Sequence, residues 1–596
     1  MQIATTASIR RRLPIATLAI STEWSPKTPE PGAIARSEVK FLAFFTLTLC
    51  LVTTLPYAAG HLVSVPGTVF TDVLEHGIDS NNYLAYAQQA ASGKWLFYNP
   101  MTGEPHREVF FNLEWLAIGK MASLFHVSPA LAMNIQRLLC LVLMCYGVYW
   151  LSTYLLRSVF IRRVTLVAIM AGGGFGWLVA LHLLHIRIDS AYFLDLTCPN
   201  LFPFYWALKL PHILVSEAFV VLGLCFFLRA EHNQRTRDYV GAGFCYLIAG
   251  ACRPYGMFYL MAATVLYLTM WCWRSKGLHR AIVLRAVPVW MCVPLLGYYY
   301  WIFKLHPVFR WWSLPGELAP APWLLAFSYG LSALFLVLSA WRLRQGGLGE
   351  ASRFMICCLV TAIVLAHIRS LLHFAFQFAT EILVPLVMIV IIGLEQSITE
   401  WKKRGRWAHA GIVALLLVNS FTSIALAGQA VVLVMRGDFR AERQLLDAYS
   451  WLDSHSQSRD LVLADFDNSN QIPQYARTSV FCGYINAVRF ADKLKALQRF
   501  LEPETSNEFR EQLIQQNVIQ FVLLTAAEER EIAALGEAPF LKEVFRNNAA
   551  VIFSVTTPAG DNARLPMARK MNFRPLVNIS NSRWPLGYSS LKRRES

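Results

Sequence analysis

The sequence predicts a mainly α-helical bundle of about eleven membrane-spanning helices, followed by a small α/β domain outside the membrane. Three observations support this fold class. The chain of 596 residues is 55% hydrophobic and only 15% charged, whereas soluble proteins contain about 25% charged residues. Several apolar runs reach about 20 residues, the length that crosses a bilayer as a helix. After Met435, short apolar stretches alternate with amphipathic ones.

The first 40 residues are mostly polar. They contain Pro26, Pro29 and Pro31 and a basic cluster at residues 10–12, which is not the pattern of a cleavable signal peptide. We predict a disordered cytoplasmic tail over residues 1–40.

Residues 41–436 contain the apolar segments of the predicted bundle. The fifth, ninth and tenth are short, so the number of spans is about eleven. The segments centre on Phe41–Ala59, Pro129–Leu155, Val164–Leu184, His212–Leu228, Val240–Cys252, Met257–Trp273, Ala281–Ile302, Trp323–Trp341, Phe354–Ile368, Ile382–Leu394 and Ala408–Met435.

Basic residues mark every second connection between these segments, as at Arg162 and Arg163 and again at Lys402 and Lys403. Cytoplasmic loops are enriched in Lys and Arg, so the pattern places the N-terminus inside the cell. An odd number of spans then places everything after Met435 outside. The net charge of +16 lies in these loop clusters and not on one face, which argues against a nucleic-acid partner.

Residues 437–556 are predicted to form the extracytoplasmic α/β domain, because strand-like and helix-like stretches alternate there. Residues 557–596 are predicted to be a basic disordered tail. The predicted strands are "RDLVLADFD", "VIQFVLLT" and the hairpin "RNNAAVIFSV", and the predicted helices are "FADKLKALQRFL", "SNEFREQLIQQN" and "AAEEREIAAL".

The first outer connection, residues 60–128, is long and polar. Its two amphipathic stretches fit helices that lie along the membrane surface. Asp79 begins the first of them, where a carboxylate either caps a helix or acts in catalysis, and both interpretations stay open. Glu104 and His106 lie in the turn between the stretches, as ordinary loop residues or as ligands of a substrate.

Arg253 stands between two apolar half-segments in "GACRPYGMFY", just before the helix-breaking Pro254. An arginine at membrane depth usually faces a cavity or a partner, although it can also reach the headgroups through its long stem. Arginine suits a lipid phosphate because its guanidinium is planar and always charged.

A polar stripe interrupts the apolar pattern in "AHIRSLLHFAFQFATE", which indicates a polar cavity or pathway. A weaker polar cluster lies in "LKLPHILVSE", where the lysine could simply anchor at the interface. The stripe contains His367, Arg369, His373, Gln377 and Glu381, and the weaker cluster contains Lys209, His212 and Glu217.

Familiar catalytic and metal-binding motifs are missing from the sequence. It has no P-loop, no GxSxG, no HExxH and no CxxC among its 12 cysteines. The glycines around Gly172–Gly176 lie in an apolar segment, where we interpret them as allowing close helix packing.

Together these features resemble the C-type glycosyltransferase superfamily, whose members are polytopic enzymes that use polyprenyl-phosphate-linked sugars. The chain resembles most closely a group of bacterial membrane proteins related to that superfamily. Many C-type enzymes carry an acidic pair in the first outer loop, whereas here Glu75 is a less natural second member beside Asp79. The matching stretches are "NNYLAYAQQAASGKWLFYNPMTGEPH", "FPFYWALKLPHILVSEAF", "GACRPYGMFYL" and "NQIPQYARTSVFCGYINAV".

The resemblance implies an enzyme that moves a hexose or pentose from a polyprenyl phosphate to a lipid, glycan or protein on the outer face of a bacterial inner membrane. Asp79 would be the base, Arg253 and Arg369 would bind the phosphate, and His373, His106 and Glu104 would be further substrate-binding residues. The implied partners are the lipid-linked sugar and membrane lipids. A Mg²⁺ or Mn²⁺ ion is compatible with this chemistry, but no ligand set in the sequence requires one.

Two other functions remain open from sequence. A transporter or flippase of an amphipathic or lipid-linked substrate would use the polar stripe as a pathway, although the chain lacks the internal repeat of many transporters. A non-enzymatic membrane scaffold would use the outer α/β domain to bind a partner.

Overall fold

The computed structural model describes residues 31–75, 78–179, 189, 192–275, 280–313, 320–346, 348–368, 375–403 and 405–556. Most of the two predicted tails lies outside these ranges. The first helix nevertheless begins at Arg36, inside the predicted N-terminal tail, and the Glu38 side chain accepts a hydrogen bond from the backbone N–H of Ala35 at 2.9 Å. A capping interaction of this kind fixes the start of a helix.

Helices make up most of the chain up to Met435. In chain order they are α1 (Arg36–Leu62), α2 (Ile78–Ala91), α3 (Leu113–Phe125), α4 (Pro129–Leu155), α5 (Val159–Met170), α6 (Leu194–Thr197), α7 (Pro203–Lys209), α8 (Pro211–Asn233), α9 (Thr236–Cys252), α10 (Pro254–Ser275), α11 (Arg280–Arg285), α12 (Val287–Tyr300), α13 (Pro322–Ser328), α14 (Leu331–Gly346), α15 (Glu350–His367), α16 (Leu383–Lys402) and α17 (Arg406–Met435).

Seven helices among the described residues are long and apolar enough to cross a bilayer, and α13 with α14 would form an eighth span although the pair bends by 102°. The protein is therefore a multi-pass membrane protein. Each of the eleven predicted segments contains a helix. The segments that do not reach full length are short, as in α5 with 12 residues and α9 with 17, or are broken between α11 and α12.

The third predicted span is wrong in its extent, because α5 ends at Met170 and does not continue through the glycine-rich stretch. The backbone N–H groups of Gly174 and Gly176 donate to the Asp195 carboxylate at 3.0 and 2.9 Å. A Cβ atom on Gly174 would lie 1.9 Å from the Ser328 carbonyl oxygen. Gly174 and Gly176 therefore allow a close backbone approach beyond the end of α5, and not the packing of a span.

Two buried side chains, those of Arg137 and Tyr57, fix the turn from α7 into α8 by hydrogen bonds to its backbone. Arg137 of α4 donates to the Ala207 carbonyl at 2.6 Å, and the Tyr57 hydroxyl donates to the Leu208 carbonyl at 2.9 Å. Unpaired carbonyls at a helix end need such donors. The end of α7, and with it Lys209, is consequently held in one place at the end of the bundle.

The chain after α17 forms a mixed five-stranded sheet flanked by helices, so the predicted fold class of a membrane bundle with a small α/β region is confirmed. The elements of this domain are α18 (Arg443–His455), β3 (Leu461–Leu463), α19 (Phe466–Tyr475), β4 (Ser479–Val480), α20 (Phe490–Leu501), α21 (Asn507–Asn517), β5 (Phe521–Thr525), α22 (Glu529–Gly536), β6 (Leu541–Arg546) and β7 (Ala550–Val555). The strand order in the sheet is β4-β3-β5-β7-β6. Strands β4, β3 and β5 run parallel to one another, β7 runs antiparallel to β5, and β6 runs antiparallel to β7.

The first loop, residues 60–128, and the C-terminal domain pack closely against each other. Strand β1 (Thr68–Phe70) of the loop pairs antiparallel with β2 (Arg440–Glu442), which follows α17. Ala85 and Met101 of the loop lie fully buried in one hydrophobic cluster with Val462 and Ile472 of the domain. Burial of apolar side chains from both parts stabilises their contact. Loop and domain therefore share one end of the bundle.

Candidate active site between the first loop and the C-terminal domain

Asp79 lies in the first turn of α2, one residue inside the helix. Its carboxylate accepts a hydrogen bond from the Tyr484 hydroxyl, which comes from the C-terminal domain. Among the described residues, no backbone N–H of α2 donates to it. A capping side chain would accept such an N–H, so the contacts of Asp79 favour a functional group over a helix cap.

Glu75 joins Asp79 to form an acidic pair. Its carboxylate accepts a hydrogen bond from the Ser80 hydroxyl at 3.0 Å. Burial raises the pKa of Glu75 to about 7, and the negative charge of Asp79 contributes to the rise. Burial also raises the pKa of Asp79, whereas the hydrogen bond from Tyr484 lowers it. Burial and a like charge both disfavour ionisation of a carboxyl group, so the two groups resist being charged together.

Tyr83 connects the acidic pair to the membrane bundle. It lies one helical turn after Asp79, and its ring packs on Trp115 of α3 and His212 of α8, with ring centroids 5.1 and 4.7 Å away. Residues four apart share a helix face. Asp79 and Tyr83 therefore both face the start of α8, the region of the polar cluster that the sequence marked as weak.

Lys209, at the end of α7, is a cation without a counter-ion in the described structure. Its ammonium lies over the rings of Tyr205 and Phe439, 5.7 and 5.5 Å from their centroids, and it makes no hydrogen bond or ion pair with a described residue. Burial lowers the pKa of Lys209, and the charge of Glu75 raises it. The ammonium is thus close enough to the acidic pair to interact with it electrostatically.

Arg253 stands at the break between α9 and α10, and its side chain is only 7% exposed. Its terminal nitrogens donate to the Glu217 carboxylate at 3.1 Å and the Thr380 hydroxyl at 3.2 Å. They also donate to the carbonyl and the side-chain oxygen of Gln377, at 3.1 and 2.8 Å. These four bonds hold three parts of the bundle together, so the contacts of Arg253 favour an organising role over phosphate binding.

The polar stripe is only partly described. Gln377 and Glu381 lie in a 3₁₀ segment, Ala375–Glu381, that meets Arg253 as part of the same polar cluster. His367 ends α15 and bonds to the Ile363 carbonyl at 2.7 Å. Arg369 and His373 lie outside the described residues, so their predicted roles stay predictions.

Glu104 links the loop to the domain and His106 holds the turn of the loop together, whereas neither makes a contact with the acidic pair. The His106 ring accepts from the Asn99 backbone N–H at 2.8 Å and bonds to the Glu104 carbonyl at 2.7 Å. Burial lowers the pKa of His106 to about 4. The Glu104 carboxylate forms an ion pair with Lys493 at 2.7 Å. Both predicted substrate-binding side chains are occupied by structural contacts.

A metal requirement gains no support from the described residues, which contain no group of three or more His, Cys, Asp or Glu side chains placed to hold one ion. Glu75 and Asp79 alone provide fewer oxygen ligands than Mg²⁺ or Mn²⁺ takes. A Mg²⁺ or Mn²⁺ ion, which the resemblance to the superfamily allows, stays a prediction.

Comparison with known proteins gives matches in structure but not in sequence, since no family model and no curated protein matches the chain. The oligosaccharyltransferase AglB from Archaeoglobus fulgidus, solved with an inhibitory peptide and a dolichol-phosphate, has a TM-score of 0.51 at 11% identity, covering 89% of this chain and 75% of that one. ArnT from Cupriavidus metallidurans, bound to undecaprenyl phosphate, has a TM-score of 0.51 at 14% identity, covering 87% and 98%.

A third structure agrees with these two. The arabinofuranosyltransferase AftD from Mycobacteria has a TM-score of 0.53 at 14% identity, covering 88% of this chain and 42% of that much longer chain. The chain has the C-type glycosyltransferase fold. The predicted resemblance is thereby confirmed at the level of the fold, which does not by itself define a reaction.

Three residues of the site could be predicted only in part, or not at all, from the sequence. Glu75 lies four residues before Asp79, and the sequence indicated it only as a less natural second member of an acidic pair. Tyr484 lies in the matching stretch "NQIPQYARTSVFCGYINAV", but its contact with Asp79 could not have been predicted, because 405 residues separate the two. The sequence placed Lys209 in a weaker polar cluster, where it could simply anchor at the interface.

Proposed function

We propose that this chain is a membrane glycosyltransferase that moves a sugar from a polyprenyl phosphate to an acceptor on the outer face of the membrane. The observation that carries the proposal is the half-buried acidic pair of Glu75 and Asp79 at the start of α2, in a C-type fold. AglB and ArnT, which share this fold, were solved with polyprenyl phosphates. The proposed donor is a sugar on such a lipid.

Asp79 is the proposed base. The acceptor's nucleophilic oxygen or nitrogen attacks the anomeric carbon, the bond from that carbon to the phosphate oxygen breaks, and the phosphate leaves with the electron pair. The acceptor proton passes to Asp79 as the new bond forms. One carboxylate oxygen of Asp79 is bonded to Tyr484, while the other has no partner among the described residues and is free to accept that proton.

Glu75 complements Asp79 by staying protonated. With a pKa of about 7, Glu75 is uncharged in a large fraction of the molecules near neutral pH, which allows Asp79 to be ionised beside it. Two carboxyl groups in different protonation states are the usual arrangement where one must act as a base. Glu75 is therefore proposed as a positioning residue.

Lys209 is the proposed partner of the lipid phosphate. A phosphate that leaves with an electron pair gains negative charge, and a fixed cation stabilises that charge. The ammonium of Lys209 forms no ion pair with a described residue, whereas both terminal nitrogens of Arg253 are already hydrogen-bonded. Arg369 remains a second proposed phosphate contact. The Tyr205 hydroxyl, one turn before Lys209, also lacks a partner among the described residues and would donate to the same phosphate.

The cellular setting is part of the proposal. The basic loops predict a cytoplasmic N-terminus and an outer C-terminal domain in a bacterial inner membrane. The acceptor would approach from the outer side, where the loop and the domain meet. It is proposed to be a lipid, glycan or protein.

The proposal is tested by reconstituting the purified chain in vesicles with a polyprenyl-phosphate-linked sugar that carries a radioactive label in the sugar. Transfer of the label to an acceptor, together with release of free polyprenyl phosphate, is the expected result. Movement of the intact lipid-linked sugar across the vesicle membrane, without transfer of the sugar to an acceptor, would instead establish a transporter. Empty vesicles are the control.

A further inference from the structure

The C-terminal domain reaches the candidate base through one short segment, residues 482–484, which follows strand β4. Cys482 forms an isolated β-bridge with Thr102 of the first loop. The backbone N–H of Gly483 donates to the Met101 carbonyl at 3.1 Å, and Asn470 donates to the Gly483 carbonyl at 2.9 Å. The backbone that carries Tyr484 is consequently fixed by both the loop and the domain.

A second link joins the same two parts at the turn of α2 that carries the base. Asn81, two residues after Asp79, donates to the Asn470 side chain at 2.7 Å and accepts from Gln474 at 3.2 Å. Asn470 therefore contacts both the residue before Tyr484 and the helix of Asp79. Such side-chain networks hold their members in a single geometry.

We propose that Tyr484 is a positioning residue of the active site: its hydroxyl donates to the Asp79 carboxylate, holds it in its charged form and thereby makes the C-terminal domain part of the catalytic machinery. The inference rests on the proposed function and goes beyond it, because it assigns a chemical task to a domain that the reaction itself does not require. It also explains why loop and domain share a core.

The physical basis is a balance of opposing effects on one carboxyl group. Burial disfavours the charged form of Asp79, and the nearby Glu75 does so whenever it is ionised. A hydroxyl that donates to a carboxylate favours the charged form, because a hydrogen bond to an ionised acceptor is stronger than one to the neutral acid. Among the described residues, the charged or titratable groups that interact with Asp79 or its neighbour Tyr83 include Glu75, Tyr484, Glu114 of α3, His212 of α8 and Arg253 at the α9–α10 break, and Lys209 interacts with Glu75.

Tyr484→Phe tests the proposal because it removes the hydroxyl and keeps the ring. Without the donor, the pKa of Asp79 rises, and the acidic limb of the kcat/KM profile moves upward by about 1 to 2 pH units, given about 1.5–3 kcal/mol for a hydrogen bond to a charged group. Transfer at pH values below the new midpoint falls about tenfold or more and returns at high pH. A protein that regains its rate at high pH is folded.

Tyr475→Phe is the matched control, because Tyr475 lies in the same domain and its hydroxyl makes no hydrogen bond with a described residue. Its profile should match the wild type. A Tyr484→Phe profile with an unmoved midpoint, or a loss that is equal at every pH, would overturn the inference, since either result would mean that the tyrosine is merely structural.

A second measurement does not depend on sugar transfer. Hydrophobic carbodiimides modify protonated carboxyl groups, so the pH at which Asp79 becomes protected, located by peptide mass spectrometry, reports its ionisation. Protection should begin at higher pH in Tyr484→Phe than in the wild type and Tyr475→Phe. An identical midpoint in all three would refute the inference even if transfer is observed. A shifted midpoint in a protein that transfers no sugar would support it and would count against the proposed function alone.

Discussion

Arg253 donates to Glu217 at 3.1 Å, and both side chains are almost completely buried, at 7% and 2% exposure. The pair lies where α8, the α9–α10 break and the 3₁₀ segment before α16 meet. A buried ion pair is a poor ligand site because each charge is already neutralised, but removal of one partner leaves the other uncompensated. A charged side chain in such a pair therefore organises the site, whereas a charged side chain outside such a pair is available to bind a substrate.

Arg253→Ala should therefore destabilise the protein by about 3–5 kcal/mol, the usual effect of leaving a buried charge unpaired. Thermal unfolding in detergent measures the change. Arg274→Ala is the control, because its ion pair with Glu350 is 40% and 31% exposed and should contribute at most about 1 kcal/mol. An Arg253→Ala protein of wild-type stability that has lost donor affinity would show that Arg253 binds phosphate after all.

Lys209→Ala should raise the KM for the lipid-linked donor about tenfold or more, because the phosphate loses its proposed counter-ion, while Lys209→Arg should retain part of the affinity. Steady-state transfer at varied donor concentration provides the measurement. Lys94→Ala removes a lysine of the first loop that is already paired with Glu108 at 2.9 Å, and it should leave the KM unchanged. Equal KM values for all these proteins would rule out Lys209 as the phosphate contact.

The stability of Glu75→Gln, compared with that of the wild type, should increase as the pH rises. The pKa of Glu75 is raised from 4.5 to about 7, so the folded protein keeps a proton that the unfolded chain loses. Stability from this group is present below about pH 4.5 and is lost as the pH rises through about 7. Unfolding temperatures measured from pH 4 to 8 should show the variant gaining on the wild type. A constant difference across this range would contradict the acidic pair.

His106→Gln should show the opposite dependence. The pKa of His106 is lowered from 6.5 to about 4, so the unfolded chain binds a proton that the folded protein excludes. Stability from this group is present above about pH 6.5 and is lost as the pH falls through about 4. The same unfolding series should show a shallower loss toward acid in the variant. A pH-dependent change in sugar transfer, with unaltered stability, would instead return His106 to the substrate site.

The fold was largely predictable because its signals are local. Runs of apolar residues and alternating basic loops indicated the bundle. Short apolar stretches between polar turns indicated the strands after α17, and amphipathic stretches indicated the helices. The extent of the third span was not predictable, since α5 ends where Gly174 and Gly176 bond to Asp195, a partner supplied by tertiary structure. Hydropathy alone does not detect such a contact.

The site was predictable only in part, for a similar reason. Asp79 could be selected from its place at the start of a predicted outer helix, but its hydrogen bond to Tyr484 joins residues that lie 405 positions apart. Arg253 looked like a phosphate ligand because an arginine between apolar segments needs a partner. The sequence could not show that Glu217, Thr380 and Gln377 already provide that partner.

The central claim is that Asp79 accepts the acceptor proton during sugar transfer. Single-turnover transfer by Asp79→Asn, with the lipid-linked donor prebound, tests it most directly because the substitution preserves shape and removes the base. The account predicts a rate about 10² to 10⁴ times lower than wild type, with unchanged donor binding and unchanged unfolding temperature. Transfer within about threefold of wild type would contradict the account and remove Asp79 from the chemistry.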